Sequence, residues 1–160
     1  MMENDLVDRV WFTGHGDPRT FSDVIEKTQT EIVIGTDSHR QGSRKRVFAT
    51  AICPEADEFG RRYFWSRRSV PKKMVGGLRG QLFMEAMQSI EVAMTLVDQS
   101  PLLIPQDITI HVDCSPDESK HRSGLYAKTL LNMVKAYGFK CVLKPDNPWA
   151  ASGVADRHAR

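Results

Sequence analysis

The stretch Glu31–His39 reads E-I-V-I-G-T-D-S-H, and its reading decides how the rest of the chain is arranged. Ile32, Val33 and Ile34 are β-branched and apolar, and a continuous run of this kind predicts a strand buried on both faces. Gly35 thins the backbone, and Asp37 stands where the strand should be ending. A carboxylate inside a core costs several kcal/mol unless it is paired or holds a metal. At the end of a central strand it can face a cleft, where a hard divalent cation would stabilise it. The plainer alternative is a turn in which Asp37 and Ser38 satisfy local backbone groups.

Downstream, Gln41-Gly42-Ser43 reads as a turn and Val47–Ile52 as a second strand stopped by Pro54. Glu55–Gly60 is turn-like, and Arg61–Ser66 is a third strand. Three strands joined by short turns predict an antiparallel meander. Ser69–Gly80, with Pro71, Gly76, Gly77 and Gly80, reads as a loop. A long helix follows over Gln81–Val97, where Leu82, Phe83, Ala86, Ile90, Ala93 and Val97 recur at the helical period. Asp107–Cys114 (D-I-T-I-H-V-D-C) is a fourth strand that places Asp113 at its end, as Asp37 is placed. Ser115-Pro116-Asp117-Glu118 opens a polar loop, Ser123–Tyr137 a second helix stopped by Gly138, and Phe139–Leu143 a fifth strand. Pro145-Asp146-Asn147-Pro148 breaks that strand, and Trp149 to the C-terminus forms a final helix carrying Asp156.

Upstream, the first 30 residues are a lead-in: Trp11 and Phe12 anchor it, Gly14 and Gly16 turn it, and Thr20 caps a short helix with Asp23 three residues on. The length of 160 residues suits one domain, 1–160. No apolar run approaches the roughly 20 residues of a membrane helix. The N-terminus has the acidity of no signal peptide, and the three cysteines form no C-x-x-C pair, so the expected compartment is the cytoplasm. Charge is uneven: residues 1–36 are acidic, whereas 40–79 carry a large excess of Arg and Lys. That excess suits a polyanionic partner, or equally the solvated face of edge strands.

In a mixed sheet with the first and fourth strands parallel and adjacent, Asp37 and Asp113 meet at one edge. Two close carboxylates repel, and a divalent cation relieves the repulsion. The long helix offers Glu85 and Glu91. Both lie well away from the centre of its apolar face, but Glu85 is about one turn in from the strand edge and Glu91 roughly 9 Å further. Depth therefore favours Glu85. Asp156 is the fourth acid, in A-A-S-G-V-A-D-R-H, whose small residues let the last helix approach the sheet. His39, His111 and His158 each lie two residues from one of the aspartates. That spacing suits proton transfer or a metal preference shifted toward Mn²⁺ or Zn²⁺, or else a core His111 with the other two at the surface.

The β-β-β-α-β-α-β-α order, with acids on the first strand, first long helix, fourth strand and last helix, resembles the ribonuclease H fold. More closely, I-G-T-D-S-H, H-V-D-C-S and S-G-V-A-D-R-H-A resemble the YkuK-type family of small bacterial ribonuclease H-like proteins. The resemblance implies an α/β fold with a five-stranded mixed sheet flanked by helices, and a nuclease that cleaves phosphodiester bonds with two Mg²⁺ or Mn²⁺ ions about 4 Å apart. Carried onto this chain, Asp37 bridges the ions, Asp113 and Glu85 hold one, and Asp156 holds the other. His158 is the histidine chosen to assist, because it lies in the final motif, although on a regular helix it faces away from Asp156. His111 reads as a hydrogen-bonded core residue. The partner is then nucleic acid, with phosphates contacted by Arg40, Arg44, Lys45, Arg46, Lys72 and Lys73. A non-catalytic nucleic-acid-binding module, a small-molecule phosphohydrolase and a non-catalytic assembly protein are the rivals, and a homodimer through an edge strand is left open. G-T-D-S-H also occurs in aconitase-like enzymes, but those are far longer and hold an iron–sulfur cluster through a C-x-x-C pair that this chain lacks.

Overall fold

The computed structural model describes residues 2–54, 62–115, 124–144 and 146–160. The turn expected over 55–60, the strand start at Arg61, the loop over 116–118, the helix start at Ser123 and the breaker Pro145 lie outside the described residues. The chain opens with a short helix, α1 (Met2–Asp8), and a hairpin of β1 (Trp11–Thr13) and β2 (Pro18–Arg19). Gly16 turns the hairpin at φ 90°, a conformation that favours glycine. Thr20 caps α2 (Phe21–Lys27): its hydroxyl accepts from the Asp23 N–H at 3.1 Å, and the Asp23 carboxylate accepts from the Thr20 N–H at 2.9 Å.

The meander follows as β3 (Ile32–Gln41), β4 (Lys45–Pro54) and β5 (Phe64–Pro71), each antiparallel to the next. A one-turn helix, α3 (Lys72–Val75), leads into the long α4 (Leu78–Gln99). Then come β6 (Ile108–His111), α5 (Gly124–Ala136) and β7 (Lys140–Val142). The C-terminus is helical, π-wound over Ala150–Ala155 and α-helical over α6 (Asp156–Ala159). The sheet order is β2-β1-β5-β4-β3-β6-β7, with β3, β6 and β7 mutually parallel.

Strand alternation divides the core into two layers. Ile32, Ile34, Ile108 and Ile110 pack with Leu82, Ile90, Ala93, Leu96 and Leu130 of α4 and α5. Val33, Ala51 and Cys53 face the other way, against Ala150, Val154 and Ala155. β3 is therefore buried on both faces, as its apolar run demands. Cys53 and Cys114 are buried and Cys141 is half-buried. Among the described residues, no helix is long and apolar enough to cross a membrane.

The α/β architecture expected from the sequence holds, with differences in its elements: α1 was not expected, and the fourth strand ends at His111 rather than Cys114, so Asp113 lies beyond it. The sheet has seven strands rather than five, because Trp11–Thr13 pairs with β5 and carries β2 at its outer edge. Strands of three and two residues are too short to show an alternating pattern, and the tie is tertiary: the Trp65 indole N–H donates to the Thr13 carbonyl at 2.9 Å. The stretch read as a loop from Ser69 is also structured. β5 continues to Pro71 by pairing with the first residues of β4, and Lys72–Val75 then makes a helical turn.

Candidate metal centre

β3 and β6 run parallel and their pairing ends with Gly35 opposite His111; Asp37 continues β3 two residues on, while Asp113 lies two residues past the end of β6. Asp37 is one strand residue past Thr36, so it projects to the face of Val33 and the C-terminal helix, away from α4. Gly35 governs what reaches it. A Cβ there would lie 2.3 Å from the Ala151 nitrogen and 2.5 Å from the Ala150 carbonyl carbon. Only a glycine lets the helix backbone touch β3 this closely. The helix then carries Asp156 to Asp37, and the π-winding sets its phase, with the Asp156 N–H bonded to the Ala151 carbonyl.

His39 shares this face, two residues along β3. Its Nε2 lies 2.6 Å from Asp156 Oδ1 and 3.6 Å from Asp37 Oδ2. Asp37, His39 and Asp156 thus each offer one ligand atom, all within 4.8 Å of one another. Two half-buried carboxylates and an imidazole form a donor set that fits a divalent cation. Asp113 stands beside them with its Oδ1 at 2.7 Å from the Lys144 ammonium, and its charge is felt at Asp37.

Burial pushes the Asp37 carboxyl up to about 7, helped by the hydrogen bond it shares with Asp156 and by the charge of Asp113; the Ser38 N–H and His39 oppose this. At Asp156 partial burial also raises the carboxyl. Hydrogen bonds with His39, Asp37 and Arg160 outweigh it and hold this group down to about 2. The two carboxyls therefore share one proton, which resides on Asp37 at mildly acidic pH. A cation would take that proton's place.

Glu85 is placed differently. It is buried on the α4 face of the sheet, where it accepts from the Ser38 hydroxyl at 2.5 Å and from the Gln81 amide at 3.3 Å. Burial, then the charge of Asp37, pushes its carboxyl up to about 8. Arg46 completes the network, donating from Nε to Ser38 Oγ at 2.7 Å and from Nη2 to the Ser38 carbonyl at 3.0 Å. Asp37 and Ser38 alternate across the strand, so Glu85 lies behind the carboxylate face. Between the two helix glutamates, Glu85 is the buried one and Glu91 only half-buried.

His158 does not join the carboxylates. It stacks on Trp65 with centroids 4.1 Å apart and lies 2.7 Å from the Tyr63 hydroxyl. Burial, then the charges of Arg157 and Arg67, depress its pKa. The physical reason is helical: i and i+2 point to opposite sides, so one helix cannot aim both Asp156 and His158 at β3. His111 is a core residue. Its Nδ1 accepts the Ala150 N–H at 3.1 Å, its ring meets Trp149 edge-on, and burial depresses it to about 4.

Of the six basic residues, Arg40, Arg44, Lys45, Lys72 and Lys73 are exposed, while Arg46 is engaged with Ser38. Arg44, Lys72 and Lys73 line one cleft with Ser43, Pro71 and Gly76. The register also aligns Asp37, Ala49 and Arg67 across three strands, which sets exposed Arg67 on the carboxylate face about 10 Å from Asp37. Sequence reasoning missed Lys144, counted Arg67 only within the basic excess of 40–79, and weighed His39 but chose His158. The i, i+2 spacing of Asp37 and His39 on a strand was the available signal.

A model of the ribonuclease H-like family matches residues 19–160. The chain belongs to the ribonuclease H-like family. This agrees with the YkuK-type motifs, and the five strands β3–β7 supply the mixed sheet the resemblance implied. No curated protein sequence matches the chain.

Proposed function

We propose that this ribonuclease H-like chain is a divalent-metal-dependent nuclease that hydrolyses nucleic-acid phosphodiester bonds. The observation that carries the reading is the convergence of Asp37, His39 and Asp156, close enough to Asp113 that its charge is felt at Asp37. Asp37 takes the central position, Asp156 flanks it on the helix side and Asp113 on the β6 side, a division suited to two ions, Mg²⁺ or Mn²⁺. Metal bound there supplies Lewis-acid polarisation of a phosphoryl oxygen and a water of lowered pKa. Glu85 acts through Ser38, fixing the strand beneath Asp37 rather than holding a cation. Lys144, beside Asp113, and Arg67, across the sheet, are placed to meet phosphate oxygens, and the Arg44–Lys72–Lys73 cleft extends the contact along the strand. Buried carboxyls that stay protonated near neutral pH bind a cation only by releasing protons, so activity rises with pH through about 7.

One observation favours a second reading, a non-catalytic nucleic-acid-binding module. Asp113 is already paired with Lys144, and Glu85 is committed to Ser38. A nuclease assay over labelled single-stranded, duplex and hybrid substrates separates the two, run with Mg²⁺, Mn²⁺ or chelator. Cleavage that needs metal and is abolished in Asp37→Asn and Asp113→Asn supports the nuclease. Binding without cleavage, unchanged or tighter in Asp37→Asn, supports the module. Cleavage that survives both substitutions refutes the carboxylate site.

A further inference from the structure

We propose that His39 is itself a ligand of the bound cation, through Nε2, and that it turns the site from Mg²⁺ toward divalent transition ions. The inference rests on the metal-centre reading above and adds to it the identity of a nitrogen donor and the class of ion. His39 and Asp37 project from one strand face with a single residue between them, a spacing set by the backbone rather than by flexible side chains. Nε2 lies between two carboxylates, 2.6 Å from Asp156 Oδ1 and 3.6 Å from Asp37 Oδ2. Neighbouring ligands of a six-coordinate ion with bonds near 2.1 Å stand about 3 Å apart, midway between those distances. A cation among these atoms therefore meets the imidazole as directly as it meets the carboxylates. In the metal-free site Nε2 carries the hydrogen that the Asp156 carboxylate accepts. On coordination the ring changes tautomer, that hydrogen leaving through solvent while Nδ1 keeps or takes up the ring's proton, and the freed Nε2 lone pair goes to the ion.

Ligand chemistry then selects the ion. Mg²⁺ prefers oxygen donors and parts reluctantly with water, whereas imidazole suits Mn²⁺, Co²⁺, Ni²⁺ and Zn²⁺. The competing account is that His39 only orients Asp156 through their hydrogen bond. In that case the cation would see oxygen alone.

The test is electron spin-echo envelope modulation of the full chain loaded with Mn²⁺, which detects a directly coordinated nitrogen without reference to activity. The expected spectrum shows nitrogen modulation that changes on ¹⁵N-histidine labelling and is absent in His39→Gln, while Mn²⁺ still binds. Competition titration should show the Mn²⁺-over-Mg²⁺ preference falling at least about tenfold in that variant. Mn²⁺ bound without nitrogen modulation in the wild-type protein overturns the proposal and leaves the carboxylate site standing. Modulation that persists in His39→Gln overturns it too. A wild-type protein that binds no Mn²⁺ removes both the ligand and the metal centre. The wild-type spectrum decides the matter even if the variant folds poorly.

Discussion

Replacing Asp37 by Asn should stabilise the metal-free protein at alkaline pH, the reverse of what loss of a buried polar contact does. Asp37 ionises near 7 in the folded chain against 3.8 in an unfolded one. Between those values the folded state binds the extra proton, so stability is greatest below about pH 4 and falls as pH rises through 7. At about 1.4 kcal/mol per pH unit, the rise at Asp37 costs about 4 kcal/mol by pH 8. Asp156, held down to about 2 and partly solvated, gives some of that back. The net cost of the pair is then on the order of 2 kcal/mol. An Asn amide at position 37 can donate to Asp156 at every pH, as the shared proton does only when present. Asp156 is ionised in both states above pH 5, so urea unfolding of both proteins in chelator should show the difference moving by about 3 kcal/mol in favour of Asp37→Asn between pH 5 and pH 8. Added Mn²⁺ should stabilise the wild type increasingly with pH and leave the variant unmoved. If Asp37→Asn is destabilised equally at pH 5 and pH 8, the raised carboxyl and the reasoning built on it are wrong.

Gly35→Ala drives a methyl into the Ala150–Ala151 backbone, so we expect a loss on the order of 1–3 kcal/mol in urea unfolding, together with weaker Mn²⁺ binding as Asp156 is displaced. Glu85→Gln keeps an acceptor for the Ser38 hydroxyl and removes a carboxyl that ionises near 8. It should gain stability above pH 8 and keep cleavage within about tenfold of wild type, whereas a loss as deep as that of Asp37→Asn would make Glu85 a cation ligand. His158→Phe retains the stack on Trp65 and loses the Tyr63 hydrogen bond, which should cost about 1 kcal/mol in thermal unfolding and leave nuclease turnover unchanged.

What the sequence revealed was what strand periodicity and chain order control. The apolar run before Asp37 and the matching run before Asp113 identify two central strands, and their parallel pairing follows from the order of elements. The long helix was legible in extent but not in phase. Its sheet-facing stripe includes Glu85, Gln88 and Ser89, buried polar residues that an apolar wheel assigns to solvent. They are buried because β3 offers matching hydroxyls: Thr36 bonds Ser89 at 2.7 Å, and Ser38 bonds Glu85. Neither pairing can be read from one segment alone. The placement of His39 and His158 was not legible for the same reason. His158 lies in a distinctive motif, but the π-winding and the aromatic pair Tyr63–Trp65 decide where it points. The small residues of the last helix were rightly read as allowing close approach. The glycine that contact requires is Gly35 on the strand, whereas Gly153 on the helix has open space around its Cβ position.

The metal centre is tested most directly by anomalous diffraction from crystals grown with Mn²⁺ at pH 8, where Asp37 is free to ionise. The account predicts a peak within about 2.2 Å of an Asp37 oxygen and of at least one oxygen of Asp156 or Asp113. Saturating Mn²⁺ with no peak at Asp37 would contradict it.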